Sequence, residues 1–349
     1  MESSKEKRNN NIEIICEVGK SFVTSEQPEP LETLLERAKE LIREAKKAGA
    51  DTCKFQAHAD DEIHPDAKLI SPHFNQDRYE WVKRNTYPPE FWLELKEYCY
   101  EIGIGFLVTP MSRGAVYLIE GVSDRFKIGS GDLTDFVLLD YIRDYHKPII
   151  ISSGMSSLQE LRKAYDFIRE KTEDVSILHC ISNYPCPLED LNLLTIPFLK
   201  KQFPEATIGF SDHSLEISTG AMAVSLGALI IEKHFTLDRD AFGPDHKCSL
   251  LPHEFAQMVK EIREWKMETS EIPKEALGVS IKFINEEEMK FRKIFHKGLY
   301  VGRDIKKGEL IAREDIIALR PQGDAPPSQD FMLYMDKTAE HDYQKYEHL

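Results

Sequence analysis

The sequence repeats one pattern eight times: a short apolar run, then an amphipathic, helix-like stretch. The candidate strands are IEIICEV, TCKFQ, GFLVTP, RFKIGS, PIIISSG, VSILHC, TIGFSDH and LIIEKHFT. Strands that alternate with helices are typical of a parallel sheet with right-handed crossovers. Eight such units within about 265 residues predict a (β/α)8 TIM barrel, because they match its size. An open doubly wound sheet is the alternative, but its glycine-rich nucleotide turn is missing.

Polar side chains lie at or near the carboxyl end of every candidate strand. They are Glu17, Lys54 with Gln56, Thr109, Lys127 with Ser130, Ser152, His179, His213 and His234. In a barrel these strand ends converge on one face, where the active site is built. Charged residues also end strands because they reach solvent there, but that explanation accounts poorly for all eight cases. The pattern therefore predicts one site on this face.

Two lysines, Lys54 and Lys127, lie within strands that are otherwise apolar. A single lysine at such a position is more often a surface residue. A lysine buried in an apolar strand, however, needs an anionic partner. With the hydroxyl groups of Ser130, Ser152 and Ser211 as donors, the two lysines are suited to bind a small phosphate or carboxylate.

Two histidines end consecutive candidate strands, and each shares a strand face with a polar residue. Ser211 is two residues before His213, and Glu232 is two residues before His234. Strand side chains repeat with period two, so each pair points to the same side. The arrangement is suited to a divalent metal ion, although a histidine at a strand end is also often only hydrogen-bonded. His179 has no comparable partner and is interpreted as structural.

Length and pattern predict a large domain followed by a small one. We expect a flexible tail over 1–11, the barrel over 12–268 and a polar, helical linker over 269–291. The remaining stretch, 292–349, reads as short strands broken by glycines. It is predicted to form a small β-rich domain.

Charge and apolar runs exclude several functional classes. The net charge of −15 argues against general binding of nucleic acid or anionic membranes. The longest nearly apolar run, 221–231, is too short to span a bilayer, and the first 11 residues lack the apolar core of a secretory signal. Six cysteines without a CxxC pair are typical of reduced thiols. The sequence predicts a cytoplasmic protein.

Seven ordered motifs resemble the sialic acid (nonulosonic acid) synthase family. They are KFQ (54–56), KIGSGD (127–132), ISSGM (151–155), HCISNYP (179–185), IGFSDHS (208–214), IEKHFTLD (231–238) and GPDHKCSL (243–250). The stretch FHKGLYVGRDIKKGELI, followed by LRP, resembles the family's C-terminal antifreeze-like (SAF) domain. The resemblance covers roughly 12–323. It implies an enzyme that condenses phosphoenolpyruvate with an N-acylated mannosamine-type sugar.

The resemblance also implies a set of partners and residue roles. The chain would form a domain-swapped homodimer in which the SAF domain covers the partner's site. Phosphoenolpyruvate would be held by Lys54, Lys127, Ser130, Ser152 and Ser211. The open-chain sugar would contact Gln56, Tyr184, Asp245 and, from the partner subunit, Arg320. A divalent ion, Mn²⁺ or Mg²⁺, would be bound by His213 and His234.

The chemistry implied by the resemblance is the formation of a carbon–carbon bond. The metal polarises the sugar aldehyde as a Lewis acid, and C3 of phosphoenolpyruvate attacks it. Water then adds at C2, and phosphate leaves by C–O cleavage. Glu17 is our first candidate for the carboxylate that handles water or a substrate proton, and Glu232 is the second. Lys54 and Lys127 would neutralise the anionic substrate.

The chain departs from the family pattern at two places. In the loop after the first strand, Ser21, Phe22 and Thr24 stand where the family usually has an Asn-His pair and a glycine. We expect this difference where the sugar lies. The tail after Arg320 lacks the expected closing strands, which predicts a SAF domain that is shortened or ends differently. The long insert 63–88 either contributes to the sugar site or covers the barrel mouth.

Three questions stay open at this level. The acceptor is N-acetylmannosamine, its 6-phosphate, or a diacetamido 6-deoxy hexose. A nearby alternative is another phosphoenolpyruvate-dependent aldol-type synthase that acts on a phosphorylated aldose, although the SAF-like tail disfavours it. The alternative from a different class is a non-catalytic sugar-binding barrel.

Overall fold

The computed structural model describes residues 12–71, 74–264 and 268–349. The predicted flexible tail, 1–11, lies outside these residues. Eight parallel strands close into a barrel, in which the first strand pairs with both the second and the eighth. The strands are β1 (Glu13–Gly19), β2 (Thr52–Ala57), β3 (Gly105–Pro110), β4 (Phe126–Ile128), β5 (Ile149–Ser152), β6 (Val175–Cys180), β7 (Thr207–Asp212) and β8 (Ile230–His234). The predicted (β/α)8 fold is confirmed.

Helices connect the strands and form the outer layer. They are Leu31–Lys47, Arg78–Arg84, Pro89–Glu101, Arg113–Ile119, Phe136–Arg143, Leu158–Arg169, Thr195–Gln202, Thr219–Ser225 and Pro252–Arg263. In the helix that follows β5, Ser157 accepts a hydrogen bond from the Glu160 N–H while the Glu160 side chain accepts from the Ser157 N–H. This capping box satisfies backbone groups that the first helical turn leaves unpaired.

The barrel interior changes from apolar to polar along each strand. A buried cluster of Ile15, Leu107, Ile150, Leu178 and Ile230 fills the inside. The residue two positions further on in each of these strands points to the same side but nearer the carboxyl end. At those positions stand Glu17, Thr109, Ser152, Cys180 and Glu232. The period-two pattern therefore puts an apolar plug below a polar chamber.

The C-terminal segment, 269–349, packs across the carboxyl-terminal face of its own barrel. It holds the helices Lys274–Leu277, Glu286–Phe295 and Phe331–Tyr334 and two antiparallel strands, β9 (Gly298–Val301) and β10 (Ile316–Leu319). Lys297 Nζ lies 2.9 Å from carboxylate oxygens of both Asp132 and Asp135 in the barrel. The antiparallel pair agrees with the predicted small β-rich domain, whereas the boundaries at 268 and 291 stay predictions.

The end of the chain returns to this antiparallel pair. Tyr343 bridges Ile305, and His348 bridges Tyr300 in β9. The Leu349 N–H donates to the Leu299 carbonyl at 3.1 Å. The segment after Arg320 thus differs from the family pattern in sequence but still pairs with β9.

The insert 63–88 forms a short hairpin, Ile70–Ser71 with Phe74–Asp77, followed by the helix Arg78–Arg84. Asp77 caps this helix by accepting from the Tyr79 and Glu80 N–H groups. Within the three described ranges, no helix is both long and apolar enough to cross a membrane.

Candidate active site

A cavity opens at the carboxyl ends of the barrel strands and encloses about 870 Å³ of free space, its mouth included. Every residue that the sequence predicted for the site lines this cavity. They are Glu17, Lys54, Gln56, Lys127, Ser130, Ser152, Tyr184, Ser211, His213, Glu232, His234, Asp245 and Arg320. The side chains predicted for the site therefore lie together on one face of the barrel.

Two carboxylates and two lysines form the floor of the cavity. Lys54 Nζ lies 2.5 Å from Glu17 Oε2 and 3.7 Å from Glu232 Oε2. Lys127 Nζ lies 3.7 Å from Glu232 Oε1 and donates to Ser152 Oγ at 2.6 Å. All four charged side chains are almost completely buried. Each lysine has a carboxylate neighbour, which satisfies the requirement for a buried cation.

The two carboxylates differ in proton affinity. Burial, the largest influence, raises the pKa of Glu17 in spite of the charge on Lys54. Burial also acts on Glu232, but the charges of Lys127 and Lys54 outweigh it and lower the pKa of Glu232. The Ser211 hydroxyl donates to Glu232 Oε1 at 2.8 Å and supports the ionised form. Carboxyl groups whose pKa values are pushed apart are suited to different roles, one as a proton carrier and one as a fixed charge.

The two lysines differ in the same way. Burial by itself lowers the pKa of Lys54, but the charges of Glu17 and Glu232 exceed this effect and raise it. Burial lowers the pKa of Lys127, and the nearby charge of Lys54 adds to the effect while Glu232 opposes it. An anion that binds beside Lys127 would therefore stabilise the charged form of this lysine.

The rings of His213 and His234 lie close together in the cavity wall, beside Tyr184. The ring centroids of His213 and His234 are 5.3 Å apart, and that of Tyr184 is 4.2 Å from His213. His213 Nδ1 is 2.8 Å from the Ile181 carbonyl oxygen, so this nitrogen carries the proton and Nε2 is the unprotonated one. His234 Nδ1 is buried and has no hydrogen-bond partner in the described part of the chain.

This pair fits a divalent ion held by two imidazoles. Burial, followed by the charge of His213, lowers the pKa of His234 well below its usual range, which keeps the ring neutral as a ligand must be. Among the described residues, no group of three or more His, Cys, Asp or Glu side chains is arranged to hold a metal ion. The remaining coordination positions would be taken by substrate and water, as in catalytic metal sites.

Gln56 and Asp245 stand beside Glu17 at a close approach of the backbone. Gln56 Nε2 donates to Glu17 Oε1 at 2.9 Å. Gly19, at φ +53°, lies directly against this group. A Cβ there would be 3.2 Å from Glu17 Oε1 and 3.4 Å from Asp245 Oδ2. Glycine at this position combines the left-handed conformation with the room that the carboxylates occupy.

We expect Asp245 to make the stability of the protein fall as the pH rises from 4 to 7. Burial, followed by the charge of Glu17, raises the pKa of Asp245 from 3.8 to about 6. Between these values the folded state binds more protons than the unfolded state, so stability is lost as the pH passes through the folded pKa. At about 1.4 kcal/mol per pKa unit, the loss is up to about 3 kcal/mol.

The measurement compares urea unfolding of the wild type and Asp245→Asn between pH 4 and pH 7. The wild type should lose stability relative to Asp245→Asn across this window. Asp240→Asn, an exchange at an exposed carboxylate, is the matched control and should follow the wild type. Parallel pH profiles for the wild type and Asp245→Asn would contradict the prediction.

Arg320 lines the cavity of its own chain, whereas the resemblance implied that it reaches the site of a partner subunit. It follows β10, and its Nη1 and Nη2 donate to Glu62 Oε1 and, at 2.6 Å, Asp132 Oδ1. Its Nε donates to the Phe295 carbonyl at 2.8 Å. The reason is that the C-terminal segment folds back over the barrel from which it emerges.

Ser21, Phe22 and Thr24 of the first-strand loop are not among the residues that line the cavity. Phe22 is fully buried in an aromatic cluster with Phe55, Tyr87 and Phe91. That this loop differs from the family where the sugar lies stays a prediction.

The insert 63–88 supplies cavity residues that the sequence left undecided. Arg78 and Trp81, from the helix that follows the hairpin, line the cavity, and the Arg78 guanidinium lies 4.7 Å from the centre of the Phe295 ring. Arg78 is the first residue of a helix that Asp77 caps. This position within the aromatic insert is the sequence signal that could have predicted its role.

Other lining residues were also missed by the sequence analysis. They are His58, Met111, Asp132, Met155, Cys180 and Phe295. Cys180 could have been found from its strand position two residues after Leu178. Phe295 could not, since it comes from the stretch 292–349, which was predicted to form a separate small domain. His179 Nε2 donates to the Leu191 carbonyl, 2.8 Å away, and His179 does not line the cavity.

A closed barrel with paired lysines, paired carboxylates and two imidazoles at its carboxyl-terminal mouth defines a class of protein. It is a (β/α)8 enzyme built for a small anionic substrate and a polar second one. Comparison with known proteins identifies the family within this class. The NeuB family matches residues 41–274, and the chain belongs to that family.

Relatives and solved structures agree with this assignment. The N,N'-diacetyllegionaminic acid synthase of Legionella pneumophila is 34% identical over 307 residues, with 84% of each chain covered. The human N-acetylneuraminate-9-phosphate synthase is 32% identical over 309 residues, with 86% of this chain and 83% of that one covered. The crystal structure of spore coat polysaccharide biosynthesis protein SpsE from Bacillus subtilis has a TM-score of 0.78 at 32% identity, covering 96% and 92% of the two chains. The predicted family and enzyme class are confirmed.

Proposed function

We propose that this protein condenses phosphoenolpyruvate with an open-chain, N-acylated mannosamine-type sugar to give a nine-carbon 2-keto acid and phosphate. The observation that carries the proposal is the chamber in which Lys54, Lys127, Glu17 and Glu232 lie together with displaced pKa values. Family membership and the synthase names of the relatives support it. We propose likewise the metal, the individual residue roles, the acceptor and the assembly.

The phosphoenolpyruvate half is the floor of the chamber. Lys127 and Lys54 offer two cations, and Lys127 Nζ already donates to Ser152 Oγ at 2.6 Å. Ser130 and Ser211 add hydroxyl donors at the same level of the barrel. When the anion binds, each lysine would interact both with its carboxylate partner and with a substrate oxygen.

His213 and His234 would hold Mn²⁺ or Mg²⁺ by one imidazole nitrogen each. When bound, the ion would supply Lewis-acid polarisation of the sugar aldehyde. The protein's own contribution is to keep the His234 ring neutral and to orient His213 through the Ile181 carbonyl.

Glu17 would move the proton and Glu232 would remain a fixed charge. In the reaction, C3 of phosphoenolpyruvate bonds to the aldehyde carbon, whose oxygen takes a proton. Water then bonds to C2 and loses one proton. The C2–O bond to phosphate breaks with its electron pair going to phosphate, and loss of the remaining hydroxyl proton gives the 2-keto group. The raised pKa of Glu17 suits a group that accepts the proton of water. Gln56 and Lys54 orient this carboxyl from opposite sides.

The acceptor would lie on the open side of the floor, toward Gln56, Tyr184, Asp245 and Arg320. Gln56 and Asp245 offer amide and carboxyl groups to sugar hydroxyls. Arg320 would contact the acyl group with the N–H donors that its bonds to Glu62, Asp132 and Phe295 leave over. The relatives' names give different products, a diacetylated sugar acid and a 9-phosphate, so the acceptor is settled only by assay.

The homodimer and the cytoplasmic location remain proposals. Each site is complete within one chain as regards the residues predicted to line it, so a dimer would not need to exchange Arg320. Sedimentation analysis of the protein tests the assembly. All six cysteines are buried and unpaired, which suits a reducing compartment.

The experiment that tests the proposed function is phosphate release from phosphoenolpyruvate in the presence of Mn²⁺. The panel of acceptors contains N-acetylmannosamine, its 6-phosphate, diacetamido 6-deoxy hexoses and phosphorylated aldoses. We expect release with an N-acylated sugar and none with simple phosphorylated aldoses. The opposite preference indicates the aldol-type alternative. No release with any acceptor, in protein shown to bind Mn²⁺, favours the sugar-binding barrel.

A further inference from the structure

Glu288 is a buried carboxylate that joins the C-terminal segment to the barrel outside the cavity. It lies in the helix Glu286–Phe295 and is 0% exposed. Its Oε1 accepts hydrogen bonds from two barrel N–H groups, that of Met155 at 2.8 Å and that of Ser182 at 3.0 Å. Because a buried carboxylate is costly unless such donors satisfy it, this contact is specific in geometry.

One of the two bonds leads directly to His213. The Ser182 N–H and the Ile181 carbonyl are the two ends of a single peptide group, and that carbonyl is 2.8 Å from His213 Nδ1. A negative charge at the N–H end of a peptide group polarises it and makes its oxygen a stronger acceptor. The stronger acceptor holds the proton on Nδ1 and leaves Nε2 as the ligand nitrogen.

The second bond fixes the loop after β5. Met155 has φ +54°, and the helix contacts it on both sides: Glu288 accepts from its N–H, and Arg292 Nη1 donates to its carbonyl at 3.0 Å. The adjacent Gly154 N–H donates to Ser130 Oγ at 3.1 Å. A residue in this strained conformation is retained only where its surroundings hold it.

We propose that Glu288 is a positioning residue that sets the tautomer and orientation of His213 through the Ile181–Ser182 peptide group. The order of contacts is carboxylate, peptide group, imidazole. It is equivalent to the carboxylate–histidine pairs that support metal ligands, with a peptide inserted between them. The helix of the C-terminal segment thereby controls the metal-binding side of the site. This inference rests on the proposed function, since it uses His213 as a ligand.

The test compares Glu288→Ala and Glu288→Gln with Glu287→Ala, a change at an exposed neighbour in the same helix. The first readout is the ¹⁵N NMR signature of His213 in metal-free protein, assigned with a His213→Gln variant. The second is Mn²⁺ binding followed by electron paramagnetic resonance without substrate. Loss of such supporting groups weakens metal binding about 10- to 100-fold. Glu288→Gln keeps an acceptor oxygen but not the charge, so we expect about 3- to 10-fold.

We expect the wild type and Glu287→Ala to show protonated Nδ1, and Glu288→Ala to show a mixture of tautomers. An unchanged tautomer, with Mn²⁺ affinity in both Glu288 variants within two-fold of Glu287→Ala, overturns the inference. If Glu288→Ala does not fold, Glu288→Gln decides by the same criterion. Wild-type protein that binds no Mn²⁺ contradicts the proposed metal role, while the tautomer of His213 still decides the role of Glu288.

Discussion

Replacement of His234 by alanine is expected to abolish both Mn²⁺ binding and phosphate release from phosphoenolpyruvate. The ring is buried and neutral, and its Nδ1 has no protein partner in the described residues. A buried imidazole nitrogen without a partner costs free energy unless a ligand uses the site. With only His213 left, we expect Mn²⁺ affinity to fall at least 100-fold, which corresponds to about 3 kcal/mol.

The measurement pairs Mn²⁺ titration without substrates with the phosphate-release assay. His253→Ala, an exposed histidine in the helix Pro252–Arg263, is the matched control and should behave as the wild type. Full turnover in His234→Ala would refute the metal assignment. Loss of turnover with unchanged Mn²⁺ affinity would give the ring a role toward substrate instead.

Replacement of Arg320 by methionine is expected to destabilise the protein by about 3–5 kcal/mol, the range for breaking a buried ion pair. Its guanidinium is fully buried and binds Glu62 and Asp132 at once. The variant leaves both carboxylates in the interior. Burial raises the pKa of Glu62, but the charges of His58 and Arg320 outweigh it and lower the pKa to about 2. Glu62 is therefore ionised at neutral pH and strongly dependent on its partners.

Urea unfolding at pH 7 measures this effect. Arg303→Met is the matched control: Arg303 is half-exposed and pairs with Asp315 in the same segment, so its loss should cost much less than the loss of Arg320. Asp132 keeps its ion pair with Lys297 in Arg320→Met. Adding Glu62→Gln removes the other buried carboxylate charge and should restore part of the stability. Equal stability of Arg320→Met and Arg303→Met would show that the buried network contributes nothing.

The barrel and the floor of the site could be predicted because they depend on local information. In five of the strands a polar side chain stands two positions beyond a buried apolar one, as in Ile15–Glu17 and Ile230–Glu232. Period two fixes which side chains point inward, and closure of a parallel barrel brings their carboxyl ends together. The ordered motifs also predicted the substrate class, which the spacing of residues does not show by itself.

Contacts between distant segments could not be predicted. Arg78 and Trp81 reach the cavity from an insert whose position depends on a hairpin and a capped helix. Phe22 points away from the cavity into aromatic packing. Arg320 lies over its own barrel because Lys297, Asp132 and Asp135 tie the C-terminal segment there.

By itself the sequence determined the (β/α)8 barrel, the family and the residues of the cavity floor. Only the tertiary structure decided which carboxyl group holds a proton more tightly, which barrel carboxylates Arg320 contacts, and that Glu288 accepts hydrogen bonds from the Met155 and Ser182 N–H groups. The physical reason is that side-chain direction along a strand follows from backbone periodicity. Burial and electrostatic interaction depend instead on which distant groups share a low-dielectric interior. Those neighbours are fixed only when the chain has folded.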